Sequence, residues 1–289
     1  MRRLTAGLAG LGMLCALAAC AGQGAATGPA AGPAAAGAAT GTTAAGSTRA
    51  AGVKQHDAHL SGRQLNLAVY YLRTWRGRRY LAPEWHPVPY TRAVAAAALD
   101  ELLGGRPLFP GARRPFPASA RLRGVSVEAG TATVDLSGSA LPGGTAGRWR
   151  LQALAHTLAQ FPTVRRVKVE REGRAVAGPL TPDPAHLAPI ALASPAPGVQ
   201  VRGDRLVVKG EASVFEGTVS LRLRDDRGKV MAQSYATAAQ GAPGRGPFSG
   251  ALSFTPPATS RPWTLDAFEV SPEDGEITYA VTVPVWVGR

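Results

Sequence analysis

Leu65, Leu67, Val69 and Tyr71 alternate with Asn66, Ala68 and Tyr70, the period of a strand with one face in a core. Arg76-Gly77-Arg78-Arg79 reads as a turn, and residues 80–88 as a short extended return whose core residue is Trp85. Thr91 then caps an alanine-rich helix reaching Leu103, in which Val94, Ala98 and Leu102 share a face with Ala95 and Leu99 beside it. Gly104-Gly105 stops that helix. A proline-rich loop over 107–117 leads to a predicted hairpin, residues 121–127 and 131–136, turning at Glu128-Ala129-Gly130. Leu151, Leu154, Ala155, Leu158 and Ala159 recur at helical spacing, with His156 and Gln160 off the stripe. Phe161-Pro162 ends this second helix, because a proline disfavours helical geometry in the residue before it. Val167 and Val169, alternating with Arg166, Lys168 and Glu170, form a last strand. The pattern predicts an α+β fold, a small sandwich of two helices on a three- to four-stranded sheet.

Four prolines between 179 and 189 make a stiff linker, and beyond it the helical period disappears. Strands are predicted at 206–208, 219–223, 249–254, 263–270 and 279–287, with turns at Asp226-Arg227-Gly228 and Asp274-Gly275. Several short strands over about 100 residues argue for an all-β sandwich of immunoglobulin type. The expected organisation is a leader over 1–19, a tether over 20–60, an α+β domain over 61–178, a linker over 179–188 and a β-sandwich over 189–289.

The first 60 residues lack any such periodicity. Arg2 and Arg3 precede an apolar run over 4–17, which has the length of a signal-peptide core and is too short to span a bilayer. The run ends in Leu17-Ala18-Ala19-Cys20, which resembles the lipobox of bacterial lipoproteins. Lipidation of Cys20 is therefore expected, with the protein held outside the cytoplasm on the cell membrane. Residues 21–52 are alanine, glycine, threonine and proline apart from Gln23, Ser47 and Arg49, with no large apolar side chain, a composition that cannot build a core. Cys15 lies in the leader, so Cys20 would be the sole cysteine retained and no internal disulfide is available.

Charge separates the two halves. Residues 64–178 hold 17 Lys and Arg against 7 Asp and Glu, a net of +10, whereas 189–289 hold 10 of each. Arg73, Arg76, Arg78 and Arg79 crowd one turn, and Arg165, Arg166, Lys168 and Arg171 follow the last strand of the first domain. These eight are candidates for weak, electrostatic binding of an anionic envelope polymer or the lipid surface. An extracytoplasmic address excludes nucleic acid as a partner.

No sequence motif carries catalytic chemistry. G-x-S-x-G, H-E-x-x-H and Walker A patterns are absent. His56, Asp57 and His59 stand in the tether without a second ligand cluster, so no metal is expected, and nothing calls for a cofactor. His86 reads as a loop residue and His156 as a solvated helix flank. A hydrolase would need Glu84, Asp135 or Glu216 brought into pairs about 5–10 Å apart by folding. A solute-binding lipoprotein is a further alternative, but both domains are small for enclosing a ligand.

Certain segments carry a resemblance to known domains. LAVYY at 67–71, LDELLGG at 99–105, VSVEAG at 125–130, ATVDLS at 132–137 and TLAQFPTVRRV at 157–167 resemble the sporulation and spore-germination domain called GerMN, over roughly 64–178. Ser194-Pro195, Gly198-Val199, VVKGEA at 207–212, FEGTV at 215–219, FEVS at 268–271 and VPV at 283–285 resemble the immunoglobulin-like domain of bacterial spore-germination proteins. The resemblance implies a non-enzymatic binding or scaffolding protein of sporulation, germination or envelope assembly. It carries over no catalytic residue.

Overall fold

The turn at Arg76-Gly77 places both residues at positive φ, 45° and 81°, the two-residue geometry whose twist matches that of a hairpin. It joins β1 (Gln64–Trp75) to β2 (Arg78–Pro89) in an antiparallel ladder along their whole length. Arg78 and Arg79 accordingly stand on a strand, not in the turn the sequence predicts. The structure, a computed structural model, describes residues 63–289 apart from Pro142. The leader, Cys20, the tether and its two histidines lie outside the described residues. Among those described, no helix is long and apolar enough to cross a membrane.

Helix α1 (Val94–Gly104) buries Ala98, Leu99, Leu102 and Leu103. It begins three residues after Thr91, whose hydroxyl accepts a hydrogen bond from Ala93 N–H at 3.0 Å ahead of the first turn instead of capping the helix. β3 (Leu122–Glu128) and β4 (Thr131–Leu136) form the expected hairpin. α2 (Gly144–Leu158) then crosses over to β5 (Arg166–Arg171), which pairs parallel with β4, the connection a parallel pair requires. A tight turn at Glu172-Gly173 returns the chain as β6 (Arg174–Leu180), an edge strand the hydrophobic pattern did not reveal. The four strands lie in the order β3-β4-β5-β6. Ala132, Val134, Leu136, Val167 and Val169 form their buried face and pack in one core with Leu99, Leu102, Leu154 and Leu158 of the helices.

The hairpin β1–β2 is a separate two-stranded ladder, and the end of α2 with the turn after it satisfies backbone groups along β1. Gln160 accepts from Ala68 N–H at 3.0 Å and donates to Ala68 C=O at 2.8 Å, mimicking a partner strand, while Thr157 accepts from Tyr70 N–H at 3.3 Å.

The second domain is an eight-stranded sandwich: β7 (Ile190–Ser194), β8 (Gln200–Arg202), β9 (Arg205–Ala212), β10 (Thr218–Arg224), β11 (Val230–Thr237), β12 (Gly246–Ser253), β13 (Arg261–Val270) and β14 (Ile277–Gly288). One sheet has the order β11-β10-β13-β14-β8 and the other β12-β9-β7. Inward Leu221, Leu223, Leu265, Val281 and Val283 meet Val208 and Leu252 of the facing sheet. Away from that core, buried Asp266 accepts from Arg222 at 3.2 Å, Arg224 at 2.7 Å and Thr282 at 3.0 Å, which ties three adjacent strands together. The α+β domain followed by an immunoglobulin-like sandwich is the fold class the pattern predicts.

Candidate functional site

Two places gather groups capable of chemistry or recognition. The first is a buried cluster where β2 meets the end of α1. Glu84 and His86 are two residues apart on one strand and so share a face, and both are buried, at 0% and 5% exposure. Glu84 accepts hydrogen bonds from Leu108 N–H and from Phe109 N–H, the latter at 3.4 Å, and so fixes the loop after α1. His86 Nδ1 lies 3.1 Å from Glu101 and Nε2 lies 3.7 Å from Glu84, with the Tyr71 ring 5.4 Å away. Tyr71 donates to the Glu101 carbonyl at 3.1 Å, and burial, reinforced by Glu101 and Glu84, raises its phenol above the ordinary value. Gly105 completes the fit, since a Cβ there would stand 2.9 Å from the Tyr71 hydroxyl and closer still to Glu101.

These contacts correct three expectations. Trp85, taken for the core residue of its strand, is only half-buried, and its neighbours Glu84 and His86 point inward instead. His86 is a strand residue, not a loop residue. His156, expected on a solvated flank, is buried, and its Nε2–H donates to the Asp183 carbonyl at 3.0 Å. Burial holds the His156 imidazole below its ordinary pKa, partly opposed by that hydrogen bond. The carboxylates of the hydrolase alternative stand on separate elements with separate partners. Glu84 serves backbone amides, Asp135 pairs with Arg123 at 3.2 Å, and Glu216 is exposed in the second domain. Among the described residues no group of three His, Cys, Asp or Glu side chains could hold a metal.

The second place is the seam between the domains, where the tip of the hairpin enters the core of the sandwich. Tyr80, Ala82 and Phe109 belong to the same apolar cluster as Leu223, Tyr279 and Val281. The Tyr279 ring stands 5.4 Å from Tyr80 and 6.0 Å from Trp75, and burial pushes its phenol up to about 12. Ala188 N–H donates to Leu81 C=O at 2.8 Å, and Arg245 donates to the Ala188 carbonyl.

The eight candidate anion-binding residues divide between this seam and the four-stranded sheet. Arg73 donates to the Pro110 carbonyl at 3.3 Å and lies over the Phe109 ring. Arg76 pairs with Glu276 of the second domain at 3.0 Å. Arg78 lies 5.2 Å over Tyr80, and Arg79 lies 5.9 Å over Trp149. On the sheet, Arg165 and Arg166 are exposed, Lys168 pairs with Glu170 at 2.8 Å, and Arg171 donates to the Leu141 carbonyl. Folding therefore commits four of the eight to internal partners and leaves Arg78, Arg79, Arg165 and Arg166 without a carboxylate partner among the described residues. Arg245, absent from the predicted set, joins Arg78 at the seam. It sits alone between Gly244 and Gly246, and no local pattern marks it. The Glu84/His86 pair had a signal, because Tyr80, Ala82, Glu84, His86 and Val88 alternate through one strand.

Residues 68–177 match the family described as "Sporulation and spore germination", and residues 189–276 match the "Immunoglobulin-like domain of bacterial spore germination". Similar solved structures include the first GerMN domain of the sporulation protein GerM from Bacillus subtilis, at 24% identity, covering 43% of this chain and 97% of that one with a TM-score of 0.35. The tandem GerMN domains of the same protein share 19% identity over 60% of this chain and 59% of that one, with a TM-score of 0.36. A putative lipoprotein from Clostridium perfringens shares 15% identity over 40% of this chain and 80% of that one, with a TM-score of 0.28. No curated protein matches the chain. The chain thus carries a sporulation and spore-germination domain of GerMN type followed by an immunoglobulin-like domain of the bacterial spore-germination type.

Proposed function

We propose that the protein is a non-enzymatic, lipid-anchored component of the bacterial cell envelope that works by binding, with an envelope protein or an anionic wall polymer as its partner. The observation that carries this reading is the commitment of the acid–base groups to structure. Glu84 is fully buried and occupied by backbone amides, so it cannot reach a substrate, and Glu101 lies 3.1 Å from the buried imidazole of His86. What faces outward is an arginine-rich first domain beside a charge-balanced second one. Long-range attraction by such a surface raises the local concentration of anions without needing a shaped pocket.

The anchor is tested through Cys20. Cys20→Ser should leave an uncleaved precursor or release the protein from the membrane fraction, since stable attachment takes two or more lipid chains. A variant that is processed and fractionates with membranes as before would remove the lipoprotein from this account.

A further inference from the structure

Beside the hairpin tip a cleft of 390 Å³ opens between the domains, lined by Arg78 and Tyr80 of β2, Leu187 of the connection, and Ser213, Pro243 and Arg245 of the second domain. Its size lies at the small end of ligand-binding pockets. Tyr80 is fixed in the seam and Arg245 is tied to the Ala188 carbonyl, so the walls belong to the packed interface. Arg78 is exposed and Arg245 is half-buried. Among the described residues neither guanidinium has an ion-pair partner, whereas Arg76, Arg123, Arg222, Arg224 and Arg261 each have one.

A guanidinium offers five donors in a planar fork that matches paired oxygens. Arg245 spends one nitrogen on a carbonyl, so most of the donors at this cleft stay uncommitted. Holding a cation partly out of water with no carboxylate in contact is unfavourable even with Glu211 acting from a distance, and an anion entering beside it offsets part of that cost. Burial lowers the Arg245 pKa, with Glu211, Tyr70 and Tyr279 acting in the opposite sense.

We propose that this cleft binds a single oxyanion group, a phosphate or a carboxylate, between Arg78 of the first domain and Arg245 of the second. The proposal rests on the reading of the protein as a binder of anionic envelope material and narrows it from a diffuse surface to one site. Charge-assisted, bidentate contacts suit either oxyanion. The cleft admits one such group with its immediate carrier, so the ligand is a small molecule or the end of a polymer chain. Because the two arginines come from different domains, a bound group bridges the seam and stabilises the joined arrangement through mass action.

Calorimetric titration of the full chain with inorganic phosphate and with acetate, at low ionic strength, tests the site. Saturable binding of at least one probe is expected, weakened about tenfold or more by Arg78→Gln and by Arg245→Gln, the loss of one charge-assisted contact in each. Arg123→Gln, on the outer face of the four-stranded sheet, should leave affinity unchanged. Arg78 is exposed, so its variant keeps the test decisive should Arg245→Gln fold poorly. Vesicles of phosphatidylglycerol in phosphatidylcholine, set against phosphatidylcholine alone, separate a lipid headgroup from a free phosphate. Absence of saturable binding, or binding that both cleft variants leave intact, overturns the proposal. If wall polymer still binds while the cleft variants change nothing, the site fails and the broader binding role stands. If phosphate binds in the cleft but no polymer is retained, the site stands and the polymer partner is removed.

Discussion

Glu84 shows how a single side chain can look like a catalyst in sequence and act as a fastener in the fold. Its carboxylate holds Leu108 and Phe109 N–H in a fully buried setting, next to an imidazole and a second glutamate. Removing it leaves one buried donor, Phe109 N–H, and one part-buried donor, Leu108 N–H, without an acceptor, and a buried loss of this kind costs about 1–3 kcal/mol. Glu84→Ala should therefore lower stability by about 2–4 kcal/mol in urea unfolding of the full chain, with Glu84→Gln costing less because its amide oxygen still accepts. Equal stability in Glu84→Ala and the parent would contradict the role given to this residue. The strand containing Glu84 was legible in sequence, and alternation through Tyr80, Ala82 and Val88 marked its inward face, which the core assignment passed over. Large Trp85 drew the core assignment, and polar Glu84 and His86 turn inward only because the loop after α1 and Glu101 supply partners from distant positions. His156 was misjudged for the same reason, since its partner Asp183 comes from the connection between domains.

At the scale of elements, β4, β10, β14 and both helices, which bury apolar stripes, were legible, whereas β6, β8 and β11 were missed. β4 alternates buried and half-buried residues without exception, whereas β6 buries no residue fully and contains Gly178-Pro179. β8 is three residues long, and β11 fully buries only Ala236. Such strands are held by ladder hydrogen bonds to better-patterned neighbours, a contribution that hydrophobic periodicity does not register. Part of the free side of β1 is served by side chains, Gln160 and Thr157, instead of a strand. Gln160 accepts from and donates to Ala68, so Gln160→Ala should destabilise the chain by about 1–3 kcal/mol. It should also expose a strand edge that favours association between chains. Thermal unfolding and light scattering of this variant measure both effects, and a monomeric variant of unchanged stability would show that Gln160 does not guard the edge.

At the scale of the whole molecule, the order of the two domains and the concentration of positive charge in the first were legible, because composition and periodicity both change across the connection. The seam was not. Tyr80 and Phe109 reside in the first domain yet pack with Tyr279 of the second, and nothing in their local sequence distinguishes an interface residue from a core residue. Folding also redistributes the charge, since Arg76 is drawn into a pair with Glu276 while Arg78 is left beside Arg245 in the cleft. In the proposed function the protein holds anionic envelope material through its arginines. Electrostatic attraction of this kind weakens as the screening length shortens from about 10 Å at 0.1 M salt to about 3 Å at 1 M. Cosedimentation of the full chain with purified teichoic acid–bearing cell wall measures that attraction. The account predicts retention near 0.1 M salt, release near 1 M, and weaker retention when Arg78 and Arg79 become glutamine. No retention at low salt, or retention indifferent both to salt and to those substitutions, would contradict it.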